Sequence, residues 1–146
     1  MTLRVVIIGA SGIGKHHAKW FNQENCEVVA FSGTSEESTQ KTKEILKKLF
    51  NFQGKTYINT KEMLEKENPD ITVVSSPPNM HKEHISLAIK NNCNILCEKP
   101  LYWKENTKKL VEETKKILNK TKEKGLLLEI NTQYLCSISP YKKIVS

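Results

Sequence analysis

Three clusters in this chain have residue types and spacings that do chemistry. Gly9, Ser11, Gly12, Ile13 and Gly14 fall in VVIIGASGIGKHH (5–17), where an apolar run stops and a helical pattern begins. A loop of this kind presents unpaired backbone N–H groups at a helix start, which hold phosphate and gain from the helix dipole. Ser32, Gly33 and Thr34 close a second apolar run, and Glu98, Lys99 and Pro100 close a later one, NILC. An ammonium just beyond a strand hydrogen-bonds a hydroxyl and stabilises negative charge growing on oxygen as hydride leaves carbon. Glu98 stands where it would orient Lys99. Pro100 stiffens the turn and makes a cis peptide bond accessible. The alternative for Lys99 is a solvated loop lysine.

The glycine loop fits two patterns in part. Gly9, Gly14 and Lys15 match the first seven positions of G-x-x-x-x-G-K-[ST], but the eighth is His16, where a hydroxyl must ligate magnesium. The run ITVVSS (71–76) also lacks a terminal acid. Gly9, Ser11 and Gly14 follow G-x-G-x-x-G with serine at the second glycine. Gly9 allows a sharp turn, Gly14 allows close helix-to-strand packing, and Ser11 is small enough to offer its hydroxyl to a phosphate. The dinucleotide reading is therefore preferred over the P-loop, with an empty tight turn as the alternative. An NAD-specific site usually carries an acid where Ser32 stands. Serine and threonine accept a 2′-phosphate better than an acid does, which tilts the cofactor slightly toward NADP. Lys41 and Lys43 are assigned to a solvated helix face.

These clusters need a frame. Apolar, β-branched runs at 3–8, 26–32, 56–59, 71–76, 94–97 and 126–130 predict six strands. Helical spacing separates them. Ile13, His17, Ala18 and Phe21 share one face, as do Ile45, Leu46, Leu49 and Phe50 behind a Thr34–Glu37 capping box. Asn59 caps a helix through Met63 and Leu64. A helix from about 79 turns Ile85, Ala88 and Ile89 inward, with Asn92 at its left-handed end. A long helix, 104–124, places Leu110, Val111, Ile117 and Leu118 on one face, and Gly125 closes it. Strict alternation predicts a doubly wound, mostly parallel sheet in a single three-layer Rossmann domain. Ligands of such sheets lie beyond the carboxyl ends of the strands.

Composition sets bounds. The 146 residues suit one domain, and no apolar run is long enough to cross a bilayer. With no signal-peptide pattern, a cytoplasmic protein is expected. The net charge of +7 invites a nucleic-acid reading, but the lysines are interleaved with glutamates at helical spacing. No arginine stripe or basic–aromatic pattern is present, so nucleic acid and membrane are not expected partners. Cys26, Cys93, Cys97 and Cys136 show no C-x-x-C spacing, and reduced, mostly buried thiols with no metal site are expected.

The stretch SSPPNMHKEHISLAIKNNCNILCEKPL (75–101) resembles the Gfo/Idh/MocA family of glucose–fructose oxidoreductase and inositol dehydrogenase. The matching residues are Pro77 or Pro78, Asn79, His81, Glu98, Lys99 and Pro100, and IGKHHA (13–18) is similar to the family's first helix, with its histidine at His17. The resemblance runs from Leu3 to about Lys143. It implies hydride transfer between a nicotinamide cofactor and a hydroxyl-bearing carbon of a sugar, cyclitol or related molecule. It implies Lys99 as the catalytic residue. With the loop reading, the cofactor contacts are Gly9, Ser11, Gly12, Ile13, Gly14, Ser32, Gly33, Thr34, Ser76, Pro77, Asn79, His81, Glu98 and Lys99. His81 has an equal alternative, a bond to backbone. His16 and His84 are expected at the surface, and Tyr102 and Trp103 in a pocket, the core or an interface.

The family pairs this domain with a second, substrate-binding one, which commonly forms the oligomer interface. Residues 1–131 are read as the NAD(P)-binding domain and 132–146 as the start of the connection to that second domain. Tyr134-Leu135 stands where relatives often have an arginine. Two explanations follow. The chain is the nucleotide-binding piece of a longer oxidoreductase, inactive by itself, or a stand-alone non-catalytic dinucleotide-binding protein, a sensor or assembly part. The first is preferred, because Glu98-Lys99-Pro100 has a plain use only beside a substrate.

Overall fold

A computed structural model describes residues 2–132. Its elements alternate as read: β1 (Arg4–Ile8), α1 (Gly14–Gln23), β2 (Glu27–Ser32), α2 (Glu36–Phe50), β3 (Lys55–Tyr57), α3 (Thr60–Glu67), β4 (Ile71–Val74), α4 (Pro78–Lys90), β5 (Asn94–Glu98), α5 (Thr107–Glu123) and β6 (Leu128–Asn131). The strands form one sheet in the order β3-β2-β1-β4-β5-β6, and every pairing is parallel. The order reverses between β1 and β4, so their carboxyl ends frame a crevice.

The apolar runs are continuous because both sheet faces are covered. Val5 and Ile7 face a cluster with Ala18, Phe31, Leu46 and Phe52, beneath α1 and α2. Val6 and Ile8 face the other way, onto Met63, Leu64, Ile85, Ala88 and Ile89 of α3 and α4. Consecutive residues of β1 thus serve opposite layers, as a period of two requires.

Several local expectations are met. Asn59 accepts from the Glu62 N–H and caps α3. Asn92 and Gly125 adopt positive φ, and Lys99–Pro100 is cis. Ile85, Ala88 and Ile89 are buried. Others are corrected. α2 is capped by Ser35, whose hydroxyl accepts from the Ser38 N–H, and not by Thr34, because the helix starts one residue later than the capping-box spacing implies. Ile45 and Leu49 are exposed while Thr39, Thr42 and Leu46 are buried, so the buried face is turned round the helix from the apolar one and takes in two threonines. In α5, Val111 and Leu118 are exposed. Ile117 is buried and Leu110 packs partly beside it, because one face alone meets the body of the protein. Tyr102 belongs to the core, its hydroxyl donating to the Leu110 carbonyl, and Trp103 is exposed. Tyr134-Leu135 and Cys136 lie outside the described residues.

The lysines pair along helix faces, Lys41 with Glu37, Lys47 with Glu44 and Lys66 with Glu62. Among the described residues no helix is long and apolar enough to cross a membrane.

Candidate functional site

The first turn is built by packing. Gly9 has φ +85°, a left-handed conformation that favours glycine. A Cβ there would lie 2.9 Å from the Ser75 carbonyl oxygen. At Gly14 a Cβ would come within 2.4 Å of the Gly9 oxygen and 2.5 Å of Ser75 Oγ. Ser75 is itself a fastener, its hydroxyl lying 3.0 Å from the Ile8 carbonyl and 3.1 Å from that of Gly9. Gly12 differs, since a Cβ there would meet nothing within 4 Å. Two glycines of the loop are therefore sealed inward, and the third borders open space. No side chain caps the start of α1, so its first N–H groups are left for a ligand. These features fit the diphosphate of a dinucleotide.

That space belongs to a cavity of about 700 Å³ at the carboxyl edge of the sheet. Gly9, Ser11 and Gly12 line one wall, Ser32, Gly33 and Thr34 a second, and Ser76 and Pro77 a third. The structure thus brings together most of the residues anticipated from the loop and strand ends. It adds Ser38, Thr60, Met80 and His84, which the sequence reading missed. Ser32 Oγ is already engaged with Thr60 Oγ1 at 3.1 Å.

Three buried histidines organise the turns around this cavity. His84, expected at the surface, is 8% exposed, because the α4 face that carries it packs against the β4 turn. Its Nδ1 lies 2.8 Å from Ser76 Oγ, and burial holds its pKa below the ordinary histidine value. His81 is 1% exposed, with Nε2 2.6 Å from the Ser76 carbonyl oxygen and Nδ1 2.9 Å from that of Pro100. It braces the turn after β4 against the turn after β5, the backbone role that the sequence also allows, and does not line the cavity. His17, on α1, points its Nε2 at Glu98 Oε1, 2.6 Å away.

Glu98 is likewise turned inward. Its carboxylate accepts from His17, from Asn131 Nδ2 at 2.6 Å and from the Lys99 backbone N–H. Burial pushes its pKa up, but the bonds from Asn131 and His17 outweigh that and hold it below the ordinary glutamate value. Its bonds here run to protein partners. Lys99 and Asn79 are exposed, on the turn after β5 and the first turn of α4. Ile13 and Gly14 stand at the start of α1. None of these four lines the cavity, although all lie at the same edge of the sheet.

The strand order, the sealed glycine turn and the edge cavity together define a dinucleotide-binding Rossmann domain. The family model for the Gfo/Idh/MocA oxidoreductases, NAD-binding Rossmann fold, matches residues 3–132. The chain belongs to that family. It is 27% identical over 143 residues, 97% of its length, to glucose-6-phosphate 3-dehydrogenase of Bacillus subtilis. It is 30% identical over 116 residues, 78% of its length, to myo-inositol 2-dehydrogenase of Thermotoga maritima. A crystal structure of myo-inositol 2-dehydrogenase from Lactobacillus plantarum superposes over 99% of the chain, with TM-score 0.77 and 27% identity. The chain spans 37%, 33% and 41% of these three proteins.

Proposed function

We propose that residues 1–131 are the NAD(P)-binding unit of an oxidoreductase that moves a hydride between the cofactor and a hydroxyl-bearing carbon of a sugar, a cyclitol or a related molecule, with 132–146 leading onward from it. The observation that carries this reading is the pairing at one sheet edge of a glycine-lined cavity with the Glu98-Lys99-Pro100 turn. When bound, the nicotinamide supplies or accepts the hydride. This chain's own residues hold the cofactor and meet the reacting hydroxyl. Backbone N–H groups from Ser11 to Gly14 hold the diphosphate, Ser32 to Thr34 face the adenosine ribose, and Ser76 and Pro77 wall the cleft. The Lys99 ammonium hydrogen-bonds the substrate hydroxyl and stabilises charge developing on its oxygen. The relatives named above act, by their names, on glucose 6-phosphate and myo-inositol, which supports the substrate class.

The tilt toward NADP rests on the lack of an acid at position 32. With the Ser32 hydroxyl engaged by Thr60, the hydroxyls of Thr34 and Ser38 are left to meet a 2′-phosphate. Titration with NADPH and NADH, followed by energy transfer from Trp20 or Trp103, tests both points. Binding of each, tighter for NADPH, is expected. Tighter NADH binding removes the tilt, and failure of both at millimolar concentration removes the reading. In a longer protein that carries this unit together with a substrate-binding domain, turnover of NADP⁺ with sugars and cyclitols, lost in Lys99→Ala with cofactor affinity retained, tests the lysine.

A further inference from the structure

We propose that His17 is a positioning residue that couples the seating of phosphates at the start of α1 to the placement of Lys99. The inference rests on the function proposed above and deepens it. His17 lies one turn into α1, behind the uncapped N–H groups. Its ring is 4% exposed and meets Trp20 edge-on, with centroids 5.4 Å apart, so it has little freedom to turn away. α1 packs against β1, β2 and β4. The strand bearing the lysine turn is the next one out, and the His17–Glu98 bond crosses to it.

Glu98 makes the bond consequential. Its Oε1 takes N–H donors from α1 and from β6, and the carboxylate also accepts from the peptide N–H of Lys99. The carboxylate is only 12% exposed, so water cannot readily replace a lost donor. Any displacement of α1 that lengthens the His17 bond must be answered by rotation of Glu98, and Glu98 is bonded to the peptide that aims Lys99. Interior bonds to a charged group are short and directional, so movement passes through them with little slack.

The test separates this coupling from direct shielding by using ADP, which carries the diphosphate but neither the second ribose nor the nicotinamide that would reach the lysine. Amine-selective acylation of the chain, read by peptide mass spectrometry, gives the rate at Lys99 against Lys116 on α5 as internal control. In the wild-type chain, saturating ADP is expected to change the Lys99 rate about threefold or more, the scale of one hydrogen bond, and to leave Lys116 unchanged. His17→Leu should bind ADP yet lose that response. His17→Gln, which keeps an N–H near the position of Nε2, should retain it. If His17→Leu does not fold, Glu98→Gln carries the same expectation of a lost response. A wild-type chain that binds ADP without any change at Lys99, or a His17→Leu or Glu98→Gln chain that keeps the response, overturns the coupling and leaves the proposed function standing. A wild-type chain that binds neither ADP nor NADPH overturns both.

Discussion

At Gly14 the interior tolerates no added carbon, because a methyl group would press on the backbone oxygen of Gly9. Gly14→Ala should cost about 1–3 kcal/mol of stability in urea unfolding, the range for overpacking a filled site. Gly12→Ala meets no protein atom. It should leave stability within about 0.5 kcal/mol while weakening NADPH binding, since the methyl enters the space assigned to phosphate. Reversed outcomes would mean that the two glycines have been given each other's roles. The thiols divide in the same way. Burial, with the charge of Glu98 next in weight, pushes the Cys97 thiol up to about 12, and burial also raises Cys93. Iodoacetamide at mildly alkaline pH should therefore alkylate half-buried Cys26 well ahead of Cys93 and Cys97 in the folded protein, with peptide mass spectrometry as the readout.

At the scale of elements, α2 shows what sequence pattern resolves. Its existence and direction follow from spacing, but its cap moved one residue along, since Thr34 and Ser35 are both good caps and only the backbone path selects between them. Ser35→Ala should cost about 1 kcal/mol in thermal or urea unfolding, and Thr34→Ala a few tenths, within about 0.5 kcal/mol. Equal losses would restore the earlier register. Strands were legible because they are continuous apolar runs covered on both faces. Which face of a helix is buried was not. Ile45, Leu49, Val111 and Leu118 carry the right chemistry, but whether a neighbour covers them depends on packing between distant segments. The site was legible in its loops and opaque in its supports. Glycines, serines and the Glu-Lys-Pro turn advertise themselves by spacing. The partner of His17 lies 81 residues away and leaves no local signal, and His84 reaches Ser76 only through the packing of α4 on the turn after β4.

For the molecule as a whole, two largely buried carboxylates tie the sheet together from opposite ends. Glu98 does so beside the lysine turn. Glu67, at the other end of the sheet, is bonded to the Tyr57 hydroxyl, to Lys55 at 3.0 Å and to Arg4 at 3.5 Å. Burial pushes the Glu67 pKa up, but the Tyr57 and Lys55 bonds and the nearby cations hold it below the ordinary glutamate value. Both groups have folded pKa values below their unfolded ones, so their contribution to stability is complete above the ordinary glutamate range. It is lost as pH falls through the lowered folded values. The melting temperature should begin to fall below about pH 6.5, where the buried His84 resists a proton that the unfolded chain takes, and fall further below about pH 5 as the two carboxylates are protonated. Glu67→Gln should lower it at pH 7 and shallow the acid slope, and an unchanged slope would mean that the cluster does not contribute. The strand order carries a consequence for synthesis. Within this domain β1 is made before β4, and Val5 must wait for Ile71 to emerge before its second flank is closed. Until then a strongly apolar strand is an open edge on a nascent chain, and closing so long a loop is slow. The interval between the synthesis of β1 and that of β4 is therefore when this domain most needs a chaperone's shelter.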